Sequence, residues 1–576
     1  MGIKKIKHII LIIVFSILIF TNSQIFANDE IQKAQQNVRV AIGNQNFQKY
    51  NYNEITVFGT SDVQIIDKKT NELLTTIPID TPINIKIKDN TYQIYVEKDK
   101  ETNNLIQKQK ETITLNSDFV LKSPGGLLGI KDLKRSGKQA LYKDSLEIIK
   151  KPKTNDLFFV INVLDVQEYL KGVVPNEMPI RFGLEALKAQ TIAARNYVLC
   201  SRDKKTNEYD VVDSVASQVY YGANTETEIS NRAVKETDGI VAIHNWKLIL
   251  AQYSSTAGGY TESYENAFSE PDSKKFPANR KPYLMAKADM LTQQPLKTEE
   301  DVRNFYMTKP DSYDIRSPYY RWKKEWSNEE LNQVLARTLV EQSKTGFVNP
   351  KLEKAENFGK LLDIKPIRRG DSGKLMIVEI TTDKGIFTAQ KELVIRRLFQ
   401  KDNISLPSAN VVFDFVKDEK GNIVNIIANG GGFGHGVGMS QYGAGFMGKE
   451  LKMSYDKILK HYYTDITLGT MPIIISAHPS QQKQTQKFYL DYKNANLIVD
   501  NRYNLSKINL IINNKEVQIP LEQSIFPKTH LVIDISKEIK KGENTVTYCY
   551  PLDESNMKAA RLYIEAVNPY ADKFGF

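Results

Sequence analysis

The segment Gly172–Leu199 has the sequence GVVPNEMPIRFGLEALKAQTIAARNYVL, and it decides how the chain is interpreted. Its second half, from Leu184, predicts a helix. Its first half places Glu177 among apolar residues and prolines, which indicates an acid in a bend. If the apolar groups close over the carboxyl, burial raises its pKa and keeps it protonated near neutrality, as a general acid requires. A solvated or helix-capping glutamate is the structural alternative.

The predicted helix has two polar sides. At 3.6 residues per turn, Glu185, Lys188 and Arg195 fall on one side. Gln190 falls on the opposite side, among alanines that favour close packing. A buried amide without partners costs about 1–3 kcal/mol. We therefore expect Gln190 either to bond to a nearby carbonyl or to bind a substrate.

Two later segments present neutral polar groups. The first, Tyr253–Thr261, offers the hydroxyls of Ser254 and Thr256 before a Gly-Gly turn. The second, Gly430–Gly445, is GGGFGHGVGMSQYGAG, whose eight glycines allow a close backbone approach. It matches neither the P-loop nor GxGxxG, which disfavours phosphate binding. The polar side chains that this predicted loop presents are His435, Ser440, Gln441 and Tyr442.

Metal chemistry is not predicted. His435 and His461 would need a third ligand, and His435 has the structural alternative of a hydrogen bond inside a tight turn. The chain contains neither CxxC nor HExxH. Its two cysteines, Cys200 and Cys549, could form a disulfide, but a chain of this size does not need one.

The composition is that of a folded protein of several domains. The chain has 576 residues, 41% of them hydrophobic, and a net charge of +10. A basic exported protein suits an anionic surface such as a wall polymer, although lysine is simply abundant and interleaved with acids. No basic stretch is interleaved with aromatics, so we predict no nucleic-acid partner.

The N-terminus predicts export. Lys4, Lys5 and Lys7 precede an apolar run from Ile9 to Phe20, which is short for a spanning helix. We expect residues 1–27 to be a signal peptide or a retained anchor, with the rest of the chain on the extracellular or wall side of the membrane.

The order of predicted elements indicates an α+β fold. We expect a small N-terminal β region at 28–129, a mixed core of helices and antiparallel strands at 130–470, a linker at 477–486 and a C-terminal, jelly-roll-like β-sandwich at 487–576. Strands are predicted at 38–42 and 157–164, a short helix at 165–171, hairpins at 241–254, 375–389 and 411–428, and helices near 328–342 and 455–463.

Taken together, seven segments resemble the SpoIID/LytB family, named for stage II sporulation protein D. The resemblance spans about residues 130–470 and is specific in order and spacing. The segments are YLKGVVPNEMP (Tyr169–Pro179), EALKAQTIAARNY (Glu185–Tyr197), SSTAGGYTES (Ser254–Ser263), PYL (Pro282–Leu284), RWKKEWSNEEL (Arg321–Leu331), GHGVGMSQYGA (Gly434–Ala444) and ILKHYYTD (Ile458–Asp465).

The resemblance implies a lytic transglycosylase that cuts peptidoglycan between N-acetylmuramic acid and N-acetylglucosamine and leaves 1,6-anhydro ends. It implies Glu177 as the sole acid/base, because the muramyl C6 hydroxyl is the nucleophile and no second carboxylate is needed. It also implies sugar binding by Lys188, Gln190, Arg195, Ser440, Gln441 and Tyr442. To these we add Ser254, Thr256 and His435 from their segments. The predicted partner is the glycan strand, and no cofactor is expected.

Two departures from the family pattern matter. Some relatives bind zinc near a Cys-Gln-Val-Tyr segment, but here it is Ser217-Gln218-Val219-Tyr220 with no nearby Cys or His, so we predict no metal. The C-terminal segment resembles galactose-binding-like jelly rolls and would bind wall glycan or pack on the core. Because some relatives are amidase enhancers, a non-catalytic wall-binding enhancer is the alternative function, and a structural wall protein is a third.

Overall fold

The computed structural model describes residues 37–102, 105–201, 208–244, 247–290, 296–470, 473–476, 483–490, 495–500, 509–517, 530–549 and 561–566. The predicted leader lies outside these residues. By its internal contacts the chain divides into two compact units. Unit 1 comprises the described residues up to Glu177 and those of 201–235, and unit 2 comprises 178–200 and the residues from Glu236 onward.

The helices are mostly short. They are α1 (Val166–Glu177), α2 (Leu184–Ser201), α3 (Glu228–Glu236), α4 (Tyr264–Ala267), α5 (Glu299–Met307), α6 (Asn328–Ser343), α7 (Glu392–Leu398), α8 (Gln441–Lys449) and α9 (Tyr455–Tyr462). Single 3-10 turns occur at Ile180–Phe182, Gly222–Thr225 and Ala355–Asn357. Within the described part of the chain, no helix is both long and apolar enough to cross a bilayer.

Unit 1 is built on two antiparallel β-sheets. Its strands are β1 (Asn37–Ala41), β2 (Glu54–Gly59), β3 (Val63–Asp67), β4 (Leu73–Ile77), β5 (Ile83–Lys88), β6 (Thr91–Thr102), β7 (Leu105–Leu115), β8 (Phe119–Lys122), β9 (Leu128–Arg135), β10 (Lys138–Tyr142), β11 (Ser145–Lys150), β12 (Phe158–Asp165) and β13 (Val211–Val212). One sheet has the order β13-β1-β12-β11-β8-β3-β4, in which only the short β13 runs parallel to its neighbour, and the other β10-β9-β2-β5-β6-β7.

The two sheets of unit 1 share an aromatic contact in its core. Tyr92 of the second sheet is fully buried, with its ring 5.2 Å from Phe119 and 6.0 Å from Phe158 of the first. Its hydroxyl donates to Asp118 at 3.0 Å, so a buried polar group has the partner it needs. The strands continue to Asp165, beyond the β region expected at 28–129.

A buried ion pair fastens the segment after β13 to the rest of unit 1. Arg135 Nη2 lies 2.8 Å from Asp213 Oδ2, with side chains 1% and 0% exposed. The same guanidinium donates to the Gly43 carbonyl at 2.6 Å, and Gly43 N–H donates to Asp213 Oδ1 at 3.0 Å. Burial raises the pKa of Asp213 to about 6, although Arg135 opposes this shift.

In the part of unit 2 that the structure describes, the remaining strands form five sheets. They are β14 (Ile240–His244), β15 (Lys247–Leu248), β16 (Tyr253–Ser254), β17 (Trp322–Ser327), β18 (Val348–Asn349), β19 (Leu361–Arg369), β20 (Leu375–Thr382), β21 (Gly385–Gln390), β22 (Val411–Lys417), β23 (Ile423–Gly430), β24 (Met439–Ser440), β25 (Thr467–Thr470), β26 (Ile473–Ser476), β27 (Lys483–Leu490), β28 (Ala495–Asp500), β29 (Asn509–Ile512), β30 (Lys515–Val517), β31 (His530–Asp534), β32 (Gly542–Cys549) and β33 (Arg561–Ala566).

The core of unit 2 lies around the amphipathic helix α6. Ser327 caps this helix by accepting from Glu330 N–H at 3.1 Å. Leu331, Leu335 and Leu339 recur every fourth residue and are fully buried. They belong to one cluster with apolar residues of the sheets β17-β23-β22 and β18-β21-β20-β19, including Trp326, Val378, Ile380, Ile426 and Ala428.

The C-terminal strands form two sheets, of which one includes strands from the middle of the chain. Its order is β15-β14-β25-β27-β32-β29-β30, and β25 meets β27 at Gly469 and Leu490. The other sheet has the order β26-β33-β28-β31. Residues 483–486 of the expected linker belong to β27, and 477–482 lie outside the described residues. A jelly-roll topology stays a prediction.

The predicted fold class is confirmed: the protein is α+β, with an N-terminal β region and C-terminal sheets. The predicted hairpins are present as β14–β15, β20–β21 and β22–β23, the first with its expected turn, Asn245-Trp246, outside the described residues. Cys200 is a thiol whose Sγ lies 3.4 Å from the Ile249 carbonyl oxygen.

Replacing Arg135 by methionine tests the buried ion pair. The substitution leaves Asp213 buried without its counter-charge, so we expect the free energy of unfolding of unit 1 to fall by about 3–5 kcal/mol. Urea titration followed by circular dichroism measures it. The matched control is Lys86→Met, which removes an exposed ion pair with Glu54 at 3.5 Å and should cost less than about 1 kcal/mol. Equal losses in the two variants would contradict the assignment.

Candidate functional site

Glu177 lies at the end of a helix, where a bend had been expected. α1 runs to Glu177 through Gly172 and Pro175, beyond the short helix predicted at 165–171. Proline removes one backbone donor from the helix, but it falls in the last turn. Asn176 Nδ2 donates to the Gly172 carbonyl at 2.7 Å, which satisfies an acceptor near this helix end.

The Glu177 carboxyl is positioned by a backbone amide. Val219 N–H donates to Glu177 Oε1 at 2.6 Å, and the Glu177 side chain is half-buried. Val219 belongs to the Ser217–Tyr220 segment, and its neighbour Gln218 accepts from Tyr169 OH at 3.2 Å. The effect of apolar neighbours on the Glu177 pKa stays a prediction.

The segment that carries Val219 is fixed at both of its ends. At one end lies Asp213, held by Arg135. At the other, Tyr220 OH donates to Asn162 Oδ1 at 2.6 Å, and its ring packs so closely on Gly172 that a Cβ there would lie 2.6 Å from it. These residues are not predictable from the sequence, because no motif links a backbone amide to a distant carboxylate.

In unit 2 the two predicted polar segments lie side by side. β16 and β24 pair in parallel, Tyr253 with Met439 and Ser254 with Ser440. Thr256 N–H donates to the Phe433 carbonyl at 3.2 Å, and Phe433 N–H donates back at 2.9 Å. A Cβ on Gly434 would lie 2.9 Å from the Ser254 Cβ. Glycine is therefore needed for this approach, as the sequence predicted.

Gln190, on α2, contacts Gln441, the residue that directly follows β24. It is fully buried, and its Oε1 accepts from Gln441 Nε2 at 3.3 Å. Its Nε2 has no hydrogen-bond partner among the described residues. The structure thus brings together three segments that the sequence had singled out separately.

The second half of the predicted glycine loop is helical, contrary to expectation. Ser440 caps α8 by accepting from Gly443 N–H at 3.2 Å. Glycine usually weakens a helix, but here its lack of a side chain permits packing. A Cβ on Gly443 would lie 2.5 Å from Asp289 Oδ2, and one on Gly445 would lie 2.5 Å from the Phe182 ring.

Tyr442, in the first turn of α8, is half-buried. Its N–H donates to the Ser255 carbonyl at 3.1 Å. Its ring meets Phe182 edge-on at 4.9 Å, and its hydroxyl accepts from Arg181 Nη2 at 3.4 Å. This is the predicted sugar-binding side chain that combines an aromatic face, a hydroxyl and partial exposure.

Lys188 and Arg195 are engaged in the framework of unit 2. Lys188 Nζ lies 2.9 Å from Glu185 and 2.7 Å from Glu236. Arg195 is 1% exposed and donates to the Ile240 carbonyl at 2.9 Å. That Lys188 and Arg195 contact sugar stays a prediction. The same holds for the buried residues Ser254, Thr256, Ser440 and Gln441.

His435 lies in the glycine segment with its tautomer defined. Its Nδ1 accepts from Val437 N–H at 3.0 Å, so the neutral ring carries its proton on Nε2. Burial lowers the pKa of His435 to about 4. The Glu392 carboxylate opposes this shift, while the cations of Lys374 and Arg396 add to it.

The structure also reveals two buried acids that the sequence analysis missed. Asp289 and Asp314 are fully buried in unit 2. Burial, and then the neighbouring Asp289, raise the pKa of Asp314 to about 7. Asp289 Oδ1 accepts from Tyr462 OH at 2.9 Å and lies 3.3 Å from His461 Nε2. Across the described ranges, no cluster of three or more His, Cys, Asp or Glu side chains suits a metal ion.

We expect the His435 imidazole to remain neutral at pH 5. Its unfolded pKa is near 6.5, so between pH 6.5 and about 4 the unfolded chain binds the extra proton and stability falls as the pH is lowered. Two-dimensional ¹H–¹⁵N NMR, assigned with His435→Gln, gives the pKa directly. An imidazole that titrates at pH 6 or above would contradict the structure.

Two family models match parts of the chain that include candidate site residues. A family model described as "Stage II sporulation protein" (SpoIID) matches residues 154–244, and one described as "Domain of unknown function (DUF8618)" matches 270–438. The first match contains Glu177, Lys188, Gln190 and Arg195.

Three relatives are similar over about half of this chain. The "Amidase enhancer" of Bacillus subtilis (strain 168) is 32% identical over 316 residues, 52% of this chain but 40% of that protein. An uncharacterised protein of Brachyspira hyodysenteriae is 31% identical over 54% of this chain and 69% of its own length. "Stage II sporulation protein D" of B. subtilis is 29% identical over 52% and 73%. The chain belongs to the SpoIID family.

Proposed function

We propose that this protein is a lytic transglycosylase of bacterial peptidoglycan in which Glu177 is the single general acid and base. The observation that carries the proposal is the Glu177 carboxyl held by Val219 N–H at 2.6 Å. It lies inside the segment matched to the SpoIID family. A fixed, half-buried carboxyl at a defined backbone position suits proton transfer, because the rate depends on its geometry.

The reaction needs one proton donor that later becomes the acceptor. Protonated Glu177 donates to the glycosidic oxygen between N-acetylmuramic acid and N-acetylglucosamine while the bond from that oxygen to the muramyl C1 breaks. The muramyl C6 oxygen then bonds to C1, and its proton passes to the Glu177 carboxylate. No water is consumed, and the enzyme regains its starting proton.

A polar cluster in unit 2 supports a neutral, hydroxyl-rich substrate; its members are Gln190, Ser254, Thr256, His435, Ser440, Gln441 and Tyr442. Its side chains supply amides, hydroxyls and a neutral imidazole, and few uncompensated charges. Tyr442 and His435 are its half-buried members and therefore the ones that a sugar could touch. Gln190, Gln441 and Ser440 would act from behind them, by fixing the N-terminal turn of α8.

The second candidate function is a non-catalytic wall protein that stimulates an amidase. The relative named "Amidase enhancer" favours it. Under this alternative the protein binds peptidoglycan and a partner enzyme, and the Glu177 carboxyl is dispensable. In both cases we place the protein at the cell wall, on the outer side of the membrane.

The substitution Glu177→Gln separates the two functions. It keeps the shape of the side chain and removes the transferable proton, so we expect 1,6-anhydro products to fall by about 10²–10⁴-fold. The measurement is mass spectrometry of digested glycan strands, with and without stem peptides. Glu168→Gln is the matched control, because Glu168 lies on the same helix in ion pairs with Lys143 and Lys171.

If Glu177→Gln digests glycan at the wild-type rate, Glu177 is not the acid. If neither protein digests glycan but both stimulate a purified amidase equally, the enhancer function replaces the transglycosylase. Glu168→Gln should behave like the wild-type protein in either assay, which shows that loss of one charge on α1 is not enough to change the result.

Removal of the Val219 amide proton tests how Glu177 is held. Val219→Pro deletes the donor, whereas Val219→Ala keeps it and serves as the control. We expect kcat to fall about ten- to a hundredfold in the proline variant, with KM little changed, because the carboxyl loses its fixed geometry. Circular dichroism verifies folding. A folded Val219→Pro protein with full kcat would show that the amide does not position the acid.

A further inference from the structure

Two exposed aromatic rings lie stacked on each other beside the glycine segment of unit 2. Tyr319 is 39% and Phe433 38% exposed, with ring centroids 4.3 Å apart and planes inclined by 26°. Among the residues whose burial is described, these are the two aromatic side chains of the exposed class. Because the two exposed rings contact each other, they form one apolar patch and are not isolated surface residues. We call this pair the aromatic platform.

The backbone holds the platform rigidly. Gly432 N–H donates to the Tyr319 carbonyl at 2.8 Å, and Trp322 Nε1 donates to the Gly432 carbonyl at 3.1 Å. Phe433 exchanges two hydrogen bonds with Thr256. Both rings therefore project from fixed positions, and a ligand would lose little free energy in ordering them.

Neutral hydroxyls adjoin the platform. Ser255 Oγ lies 3.2 Å from Thr256 Oγ1, which lies 2.6 Å from Ser317 Oγ. Ser317 Oγ in turn accepts from Tyr319 N–H at 3.1 Å. Thr256 and Ser317 are 1% and 5% exposed, so the half-buried Ser255 is the residue of this hydroxyl chain that a ligand could touch. An exposed ring face near a hydroxyl matches a pyranose, which has one face of C–H groups and a rim of hydroxyls.

We propose that the aromatic platform is a sugar-stacking subsite, on which the C–H face of a pyranose ring in a glycan strand packs against the outer face of Phe433 or of Tyr319, since the inner faces cover each other. Phe433 of the platform is hydrogen-bonded to Thr256, and the next residue, Ala257, donates its N–H to Ser440 Oγ at 3.4 Å. The inference rests on the proposed function only for the identity of the glycan. It adds a binding residue pair that lies outside the sugar-binding set expected from the sequence.

The test is binding to the full chain. The probes are N-acetylglucosamine oligosaccharides of increasing length and purified glycan strands without stem peptides. The variants are Phe433→Ala and Tyr319→Ala, made also in the Glu177→Gln background so that turnover does not interfere. Phe433→Tyr and Tyr319→Phe keep the rings. Ile386→Ala removes a side chain that is 51% exposed in β21 and serves as the surface control.

We expect the Kd for glycan to rise about three- to tenfold in each alanine variant, which is the range of a lost aromatic stacking contact. The ring-keeping variants and Ile386→Ala should stay within about twofold of the parent. Where glycan is turned over, KM should rise and kcat should not change. Thermal unfolding verifies that each variant is folded, and the ring-keeping variants distinguish loss of a ring from loss of structure.

The outcomes separate the platform from the proposed function. Wild-type digestion with unchanged Kd and KM in folded alanine variants would overturn the platform and leave the transglycosylase standing. Glycan binding that depends on the rings, without 1,6-anhydro products, would uphold the platform and overturn the transglycosylase. A wild-type protein that does not bind glycan overturns the platform. The platform would also be overturned by alanine variants that keep glycan binding but lose stimulation of a purified amidase, because the rings would then contact a protein.

Discussion

The close approach of two backbone segments is the constraint on which unit 2 depends. Tyr253–Glu262 lies along Phe433–Ser440, joined by strand pairing at one end and by single bridges at Thr256 and Glu262. Side chains would prevent it, since a Cβ on Gly438 would overlap the Gln252 carbonyl. Once the segments are joined, the start of α8 and the exposed ring of Phe433 have fixed positions. The glycines thus serve packing, while the polar side chains between them are the ones that the proposed function assigns to sugar binding.

In unit 1 an equivalent constraint comes from charge. Arg135 and Asp213 are buried together, and such a pair is worthwhile only when its geometry and additional hydrogen bonds offset the loss of water. Gly43 provides those bonds with both its N–H and its carbonyl. The ion pair fixes Asp213, and the chain that follows Asp213 carries Val219, whose N–H donates to the Glu177 carboxyl. The acid is therefore held by main-chain geometry that a distant ion pair maintains.

Periodicity predicted the elements whose side chains alternate in burial. Helix α2 with its small-residue face and α6 with its buried leucines follow a 3.6-residue repeat, and β20–β21 shows a two-residue alternation. It failed where tertiary contacts outweigh local preference. Gly443 and Gly445 predicted a loop but lie in α8, and Pro175 predicted a break but lies in α1. The packing of Phe182 and Asp289 against α8 is invisible in a local window.

The candidate site was predictable only in part, because motifs mark single residues but not their distant partners. Glu177, Gln190, Gln441 and Ser440 were found as motif residues, and the structure adds that Gln190 and Gln441 bond to each other. The Arg135–Asp213 pair, the Val219 amide and the Tyr319–Phe433 stack were not found. Each joins positions far apart in the chain, and nothing in the local sequence marks one partner for the other. The burial of Arg195 was also unexpected, because the residue was assigned to sugar binding and its side chain is 1% exposed.

The ladder between β25 and β27 bears on how the protein can be divided for study. The sheet that begins with β15, β14 and β25 continues through Gly469 and Leu490 into the C-terminal strands. A chain shortened after Thr470 would leave β25 as an open edge, with unpaired amides and carbonyls that can recruit strands from other molecules. Self-association of such a fragment would then reflect its new edge, and an activity lost on truncation would not by itself show that the C-terminal strands bind a ligand.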